Sequence, residues 1–228
     1  VAIYFLNAYS TVSYAHRCGN IISSCFIAFF TDFGSQDIYV GQLHTRAKAC
    51  GAESDLIDYF HDATAFDIRS SATLLAAMIN YLPNEVVLLG VVDPGVGSSR
   101  KAIAIQLDGR WLVGPDNGLF SRAVAWSKTE PVYFALARPS VDAPARTFDG
   151  RDLFLPVAIQ LAKGQSDYCI PIKDPTELTT YHTVATTQGE DNRVVHIDRY
   201  GNLITGIRGH SVNRSQVFIV GGERLSHA

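Results

Sequence analysis

From Phe26 onward, short apolar runs alternate with longer stretches of helical periodicity. The run FIAFFT at 26–31 leads into Thr31-Asp32-Phe33-Gly34, which predicts a buried strand feeding a loop. Residues 37–50 open on an acid and close on basic residues, the charge order a helix dipole favours, and predict a helix. LIDYF at 56–60 predicts a second strand. AFDIRSSATLLAAMINYL at 65–82, rich in Ala and Leu, predicts a helix packed closely on a sheet and stopped by Pro83. VVLLGVV at 86–92 is the most apolar run of the chain and is expected as a central parallel strand. Asp108-Gly109, between AIAIQL (102–107) and RWLVG (110–114), marks a hairpin. Helices are expected over 118–127 and 151–163, the second closed by Gly164. The fold class implied is α/β, with a central, mostly parallel sheet covered on both faces.

After about Ile170 the texture changes. The polar, Thr-rich stretch 171–192 is expected as a linker. RVVHID, NLITGI and QVFIVG then predict a small, incomplete, barrel-like β domain over 193–228. Residues 1–25 lack the charged start and unbroken apolar run of a signal peptide. They are expected as a poorly ordered extension or a short extra element, leaving 26–170 as the α/β catalytic domain. No stretch reaches the roughly 18 apolar residues of a membrane span, so no membrane partner is expected.

Composition narrows this picture further. With 47% hydrophobic and 18% charged residues, the 228-residue chain has the means for a sizeable core. A net charge of −3 gives no basic footprint and argues against a nucleic-acid partner. The four cysteines show no CxxC spacing and the seven histidines no metal-binding spacing, so neither a disulfide framework nor a catalytic metal is expected. Reduced thiols in the cytoplasm are the plain reading.

The segment richest in candidate chemistry runs from Gly90 to Arg100, where the most apolar strand ends and where open α/β sheets bind ligands. A phosphate-binding loop would need Lys after Gly95, and Val96 is there. A dinucleotide fingerprint would need Gly where Arg100 stands. What remains is a flexible loop with Asp93 and Arg100 seven residues apart; a turn carrying a surface ion pair is the plainer alternative. Asp32 could accept hydrogen bonds from vicinal hydroxyls, as an acidic residue does with ribose. Pro115-Asp116-Asn117-Gly118 is a strong turn signal. Phe148-Asp149-Gly150-Arg151-Asp152 opens the last helix of the first domain, where acids also serve as caps. Asp198 to Asn202 reads equally as a hairpin turn.

Taken in order, TDFG at 31–34, VVDPGVGSSR at 91–100, VGPDNGL at 113–119, TFDGRDLF at 147–154 and IDRYGNLIT at 197–205 resemble the S-adenosylmethionine hydroxide adenosyltransferases. That family is related to the fluorinating and chlorinating enzymes that attack the same molecule. The match runs from about Phe26 to Ile207. The resemblance implies an α/β domain with a small C-terminal β-barrel domain, and homotrimers with active sites between subunits. It also implies that S-adenosylmethionine is the substrate, converted with water to adenosine and methionine, with no further cofactor. On this reading Asp32 holds the ribose hydroxyls, Phe66 and Phe148 pack around the adenosyl group, and Asp198 and Asn202 contact the methionine end. Asp116 and Asn117 complete the substrate-binding set.

The family's water-activating Asp and Arg fall on Asp93 and Arg100. Where its motif reads Phe-His-Gly-Arg-Asp, the His position is Asp149, the third catalytic candidate. The chain stops at Ala228, before the segment that helps hold adenine in the family. Attack at the 5′ carbon expels a neutral thioether and needs no general acid, so the site must orient a water and stabilise its developing charge. With Asp149 in place of His, two carboxylates share one cation and their titrations couple. A carboxylate beside the nucleophile repels halide, which favours hydrolysis over halogenation. A nucleoside-binding module without catalysis is the remaining alternative.

Overall fold

The computed structural model describes residues 3–6, 25–138, 147–186, 189, 191–213 and 217–225. In chain order its elements are β1 (Ile3–Leu6), β2 (Ile27–Thr31), α1 (Ile38–Ala49), β3 (Leu56–Phe60), α2 (Ile68–Met78), β4 (Val87–Val91), β5 (Ala102–Leu107) and β6 (Arg110–Pro115). There follow α3 (Ser121–Ala125), β7 (Val132–Leu136), α4 (Leu155–Ala162), β8 (Cys169–Pro171), α5 (Thr179–Thr186), β9 (Asp191–Ile197), β10 (Leu203–Arg208), β11 (Phe218–Val220) and β12 (Glu223–Leu225).

Strands β2 and β4 are buried along their whole length because the main sheet is covered on both faces. Side chains alternate across a strand, so β2 feeds two cores. Ile27 and Phe29 meet Leu43 of α1 and Leu155 and Ile159 of α4. Ala28 and Phe30 meet Leu75 of α2 and Phe120 and Ala123 beside and within α3. Full burial of side chains this large contributes roughly 1.5–3 kcal/mol each. The sheet has seven strands in the order β3-β2-β4-β6-β5-β7-β8. Neighbours from β3 to β6 are parallel, and β5, β7 and β8 add antiparallel pairs on one side. The β5–β6 turn is the expected Asp108-Gly109, both at positive φ (48° and 78°), as a two-residue hairpin requires.

Two glycines let β4 and β6 lie under a ring. A Cβ on Gly114 would come within 2.1 Å of the Gly90 carbonyl and 2.9 Å of the buried Phe120 ring. The bare backbone leaves the space that Phe120 fills.

Beyond β8 the chain is more ordered than its polar composition suggests. The stretch 171–192, expected as a linker, carries a 3-10 turn (Pro175–Glu177) and helix α5, with Leu178 buried in the α2/α3 core. Thr is a weak helix former, so the reason lies in tertiary contacts that a propensity reading does not see. A second sheet has the order β1-β10-β9, with β1 parallel to β10 and β10 antiparallel to β9. Part of the 1–25 extension is therefore a strand. β11 and β12 form a separate two-stranded pair. Among the described residues, no helix is long and apolar enough to cross a membrane.

Candidate functional site

Parallel strands β2 and β4 end side by side, with Thr31 opposite Val91, so Asp32 and Asp93 leave the sheet at the same edge. The Asp32 N–H donates to the Val91 carbonyl (3.3 Å), tying the two exits together. Behind them, buried Thr31 anchors a polar chain. Its Oγ1 accepts from the Phe33 N–H (3.2 Å) and lies 2.8 Å from His61 Nδ1. We assign the Thr31 hydroxyl as donor to Nδ1, which leaves His61 Nε2–H to donate to Asp58 at 3.0 Å. His44 Nε2 meets the same carboxylate at 2.8 Å. Burial pushes Asp58 up, but hydrogen bonds from the two histidines outweigh it and hold its carboxyl below the usual range.

Asp32 accepts the backbone N–H of Phe66 at 3.0 Å. This bond holds Phe66, a residue 70% exposed, in the left-handed region (φ 63°). Burial raises the Asp32 pKa; the Phe66 hydrogen bond offsets this in part, and the Asp93 charge adds to it.

The loop after β4 closes on itself through Asp93 and Arg100. Arg100 Nε donates to Asp93 Oδ2 at 2.8 Å and Nη2 donates to the same oxygen, while Oδ1 accepts from the Gly95 N–H at 3.2 Å. Arg100 Nη2 also donates to Asp149 Oδ2 at 2.8 Å, joining two segments 49 residues apart. The other oxygen of Asp149 accepts from Arg138 Nη2 at 2.7 Å. The Arg100 guanidinium lies over the Phe154 ring, 5.2 Å from its centroid. Burial lowers the Arg100 pKa, but Asp93 and Asp149 outweigh that and raise it overall. Asp149 leads into a π-helical turn, Gly150–Phe154, before α4 begins. Such turns are rare and recur at functional sites.

One cavity of about 330 Å³ is lined by Asp32, Phe66, Asp93, Phe148 and Asp149 among others; Arg100 is not part of the lining and is joined to it through its bonds to Asp93 and Asp149. Three rings form one wall: Phe148 meets Phe33 edge-on at 5.3 Å and Tyr39 at 5.5 Å. Gly150 makes room for them, since a Cβ there would sit 3.0 Å from the Phe33 ring and 3.1 Å from that of Phe148.

Four expected site residues lie elsewhere. Asp116 is buried and caps α5, its two oxygens accepting the N–H groups of Thr179 (2.9 Å) and Thr180 (2.8 Å). Asn117 holds its own turn, donating to the Val92 carbonyl and accepting from the Leu119 N–H. Asp198 and Asn202 close the β9–β10 hairpin, with Asn202 Nδ2 donating to Asp198 Oδ2 at 2.8 Å. Neither lines the cavity of its own chain.

Sequence reasoning missed Tyr39 and Arg138. Tyr39 stands two residues past the Asp37 cap of α1, and its register on that helix is the signal that could have shown it. Arg138 follows β7, a strand the apolar run VYFAL could have announced. Among the described residues, no group of three or more His, Cys, Asp or Glu is placed to hold a metal ion.

The model of the S-adenosylmethionine hydroxide adenosyltransferase N-terminal domain matches residues 27–169. A Thermus thermophilus protein named (R)-S-adenosyl-L-methionine hydrolase is 36% identical over 190 residues, which cover 78% of this chain and 73% of the relative. A Salinispora arenicola protein of the same name is 36% identical over 209 residues, covering 85% of this chain and 77% of the relative. Among solved structures, an uncharacterized conserved protein from Thermotoga maritima superposes with a TM-score of 0.71 at 26% identity, covering 88% of this chain and 81% of the other.

Proposed function

Because the chain belongs to the S-adenosylmethionine hydroxide adenosyltransferase family, we propose that it hydrolyses S-adenosyl-L-methionine to adenosine and L-methionine. The observation that carries this reading is the meeting of Asp32, the aromatic wall and the Asp93–Arg100–Asp149 cluster around one cavity. A water oxygen attacks the 5′ carbon as the carbon–sulfur bond breaks. The electron pair leaves with sulfur as a neutral thioether, and the water proton passes to a carboxylate of the cluster and on to solvent. Asp93 and Asp149 orient the water, and the Arg100 charge stabilises the oxygen as it becomes anionic. Asp32 accepts from the ribose hydroxyls, and the Phe33, Tyr39 and Phe148 rings suit the flat face of adenine and a sulfonium beside them. The reaction as drawn calls on no cofactor.

The working unit is a homotrimer whose sites lie between subunits. Support comes from the β9–β10 hairpin, whose tip exposes 59% of Ile197 and 80% of Tyr200 while Asp198 and Asn202 stay outside the cavity of their own chain. In the trimer they meet the methionine end of a neighbour's substrate. A cytoplasmic setting fits the free thiols of Cys25, Cys50 and Cys169.

The decisive experiment incubates the purified protein with S-adenosylmethionine and follows both products by chromatography. Equimolar adenosine and methionine above the spontaneous background, lost in Arg100→Ala, is the expected result. Saturable binding by calorimetry without product would overturn hydrolysis in favour of a nucleoside-binding role.

A further inference from the structure

The cluster that brings Asp93 and Asp149 to the cavity contains a charge problem and its solution. Asp93 and Asp149 both bond the single guanidinium of Arg100. Two carboxylates on one cation leave a surplus negative charge, and all three side chains are almost wholly buried. Burying an unbalanced charge is expensive, and like charges this close push apart. Arg138 removes the surplus: its Nη2 sits 2.7 Å from Asp149 Oδ1, the oxygen that faces away from Arg100. Asp149 is thus gripped through both oxygens, one by each arginine. Arg138 reaches it from two residues beyond β7, where its side chain remains 36% exposed.

We infer that Arg138 is a positioning residue for the proposed hydrolysis: it balances the second carboxylate and turns Asp149 onto Arg100, so that Asp93, Arg100 and Asp149 hold one geometry around the attacking water. The inference rests on the hydrolase reading and adds to it a residue outside the expected site. It also assigns Arg138 to the presence of an acid at 149. With an uncharged side chain there, Asp93 and Arg100 balance each other and Arg138 has no surplus to cancel.

The test compares wild type, Arg138→Met, Arg138→Lys, Asp149→His and the Arg138→Met/Asp149→His double variant, reading kcat, KM and Tm for each. In the wild-type background Arg138→Met is expected to lower kcat about tenfold or more, since a small misplacement of reacting groups has effects of that order. KM should hold or fall, because the substrate is a sulfonium cation and the site has become more negative. Tm should stay within a few degrees, about the shift of a 1 kcal/mol change. Arg138→Lys, which restores the charge, should recover part of kcat. In the Asp149→His background the same Arg138→Met change should cost less than about threefold. The inference is overturned if Arg138→Met keeps wild-type kcat, if KM rises as kcat falls, or if the loss is equal in both backgrounds. Absence of product from the wild-type protein would instead sink the hydrolase reading.

Discussion

Phe66 sits at φ 63° because Asp32 holds its N–H, and it lines the cavity. A non-glycine residue in this region stores about 1–3 kcal/mol of strain. Phe66→Gly relieves the strain and Phe66→Ala keeps it. Both are expected to raise KM, while thermal melting ranks Gly above Ala; the reverse order would remove strain from the account. Asp32 yields a pH prediction. Its pKa is raised, chiefly by burial, so it takes up a proton at a higher pH than an ordinary carboxylate. The folded state then binds that proton more tightly than the unfolded chain, and this group's contribution to stability grows as pH falls through the window between the two values. Substrate binding moves the opposite way: a protonated Asp32 loses its charge toward a cationic ligand, so KM should rise on acidification while the fold holds. Asp32→Asn should flatten that rise in a KM–pH profile. Asp32 and Asp93 were legible in the sequence because they follow the ends of predicted strands, and Arg100 because it closes the loop that Asp93 opens. Arg138 was not, because its meaning lies in a contact with Asp149 that no spacing announces.

Among the elements, α5 shows why one turn signal supports two readings. Asp116 was expected at the substrate, and its carboxylate caps the start of α5, 63 residues further along the chain. Pro-Asp-Asn-Gly is equally good sequence for a binding loop and for a loop that caps a distant helix. Asp116→Ala is accordingly expected to cost about 1–2 kcal/mol of stability, read by denaturant melting, with kcat/KM held within about twofold. A large loss of kcat/KM at unchanged stability would return Asp116 to the site. Where burial on both faces dictates the pattern, as in β2 and β4, strand limits could be read to within a residue. The Thr-rich α5 could not, since packing and a borrowed cap hold it rather than its own propensity.

At the scale of the whole molecule, the proposed function draws on the sheet edge of one chain and the β9–β10 hairpin of another. If neighbouring chains share a site, two inactive variants should repair each other. Mixing Arg100→Ala with Asp198→Ala subunits under exchange conditions should restore activity in mixed assemblies, where a site draws an intact cluster from one chain and an intact hairpin from the next. No recovery, with exchange verified by mass spectrometry of mixed oligomers, would confine the site to a single chain. The second sheet has a consequence in time. Ile3 pairs with Leu203, 200 positions later, and β1 finds its only described partner in β10. At about 5–20 residues per second, a ribosome supplies that partner on the order of 10–40 s after the strand itself has been made. Over that interval the nascent β1 lacks the strand it pairs with in the folded chain, and the second sheet closes only once β10 has been made.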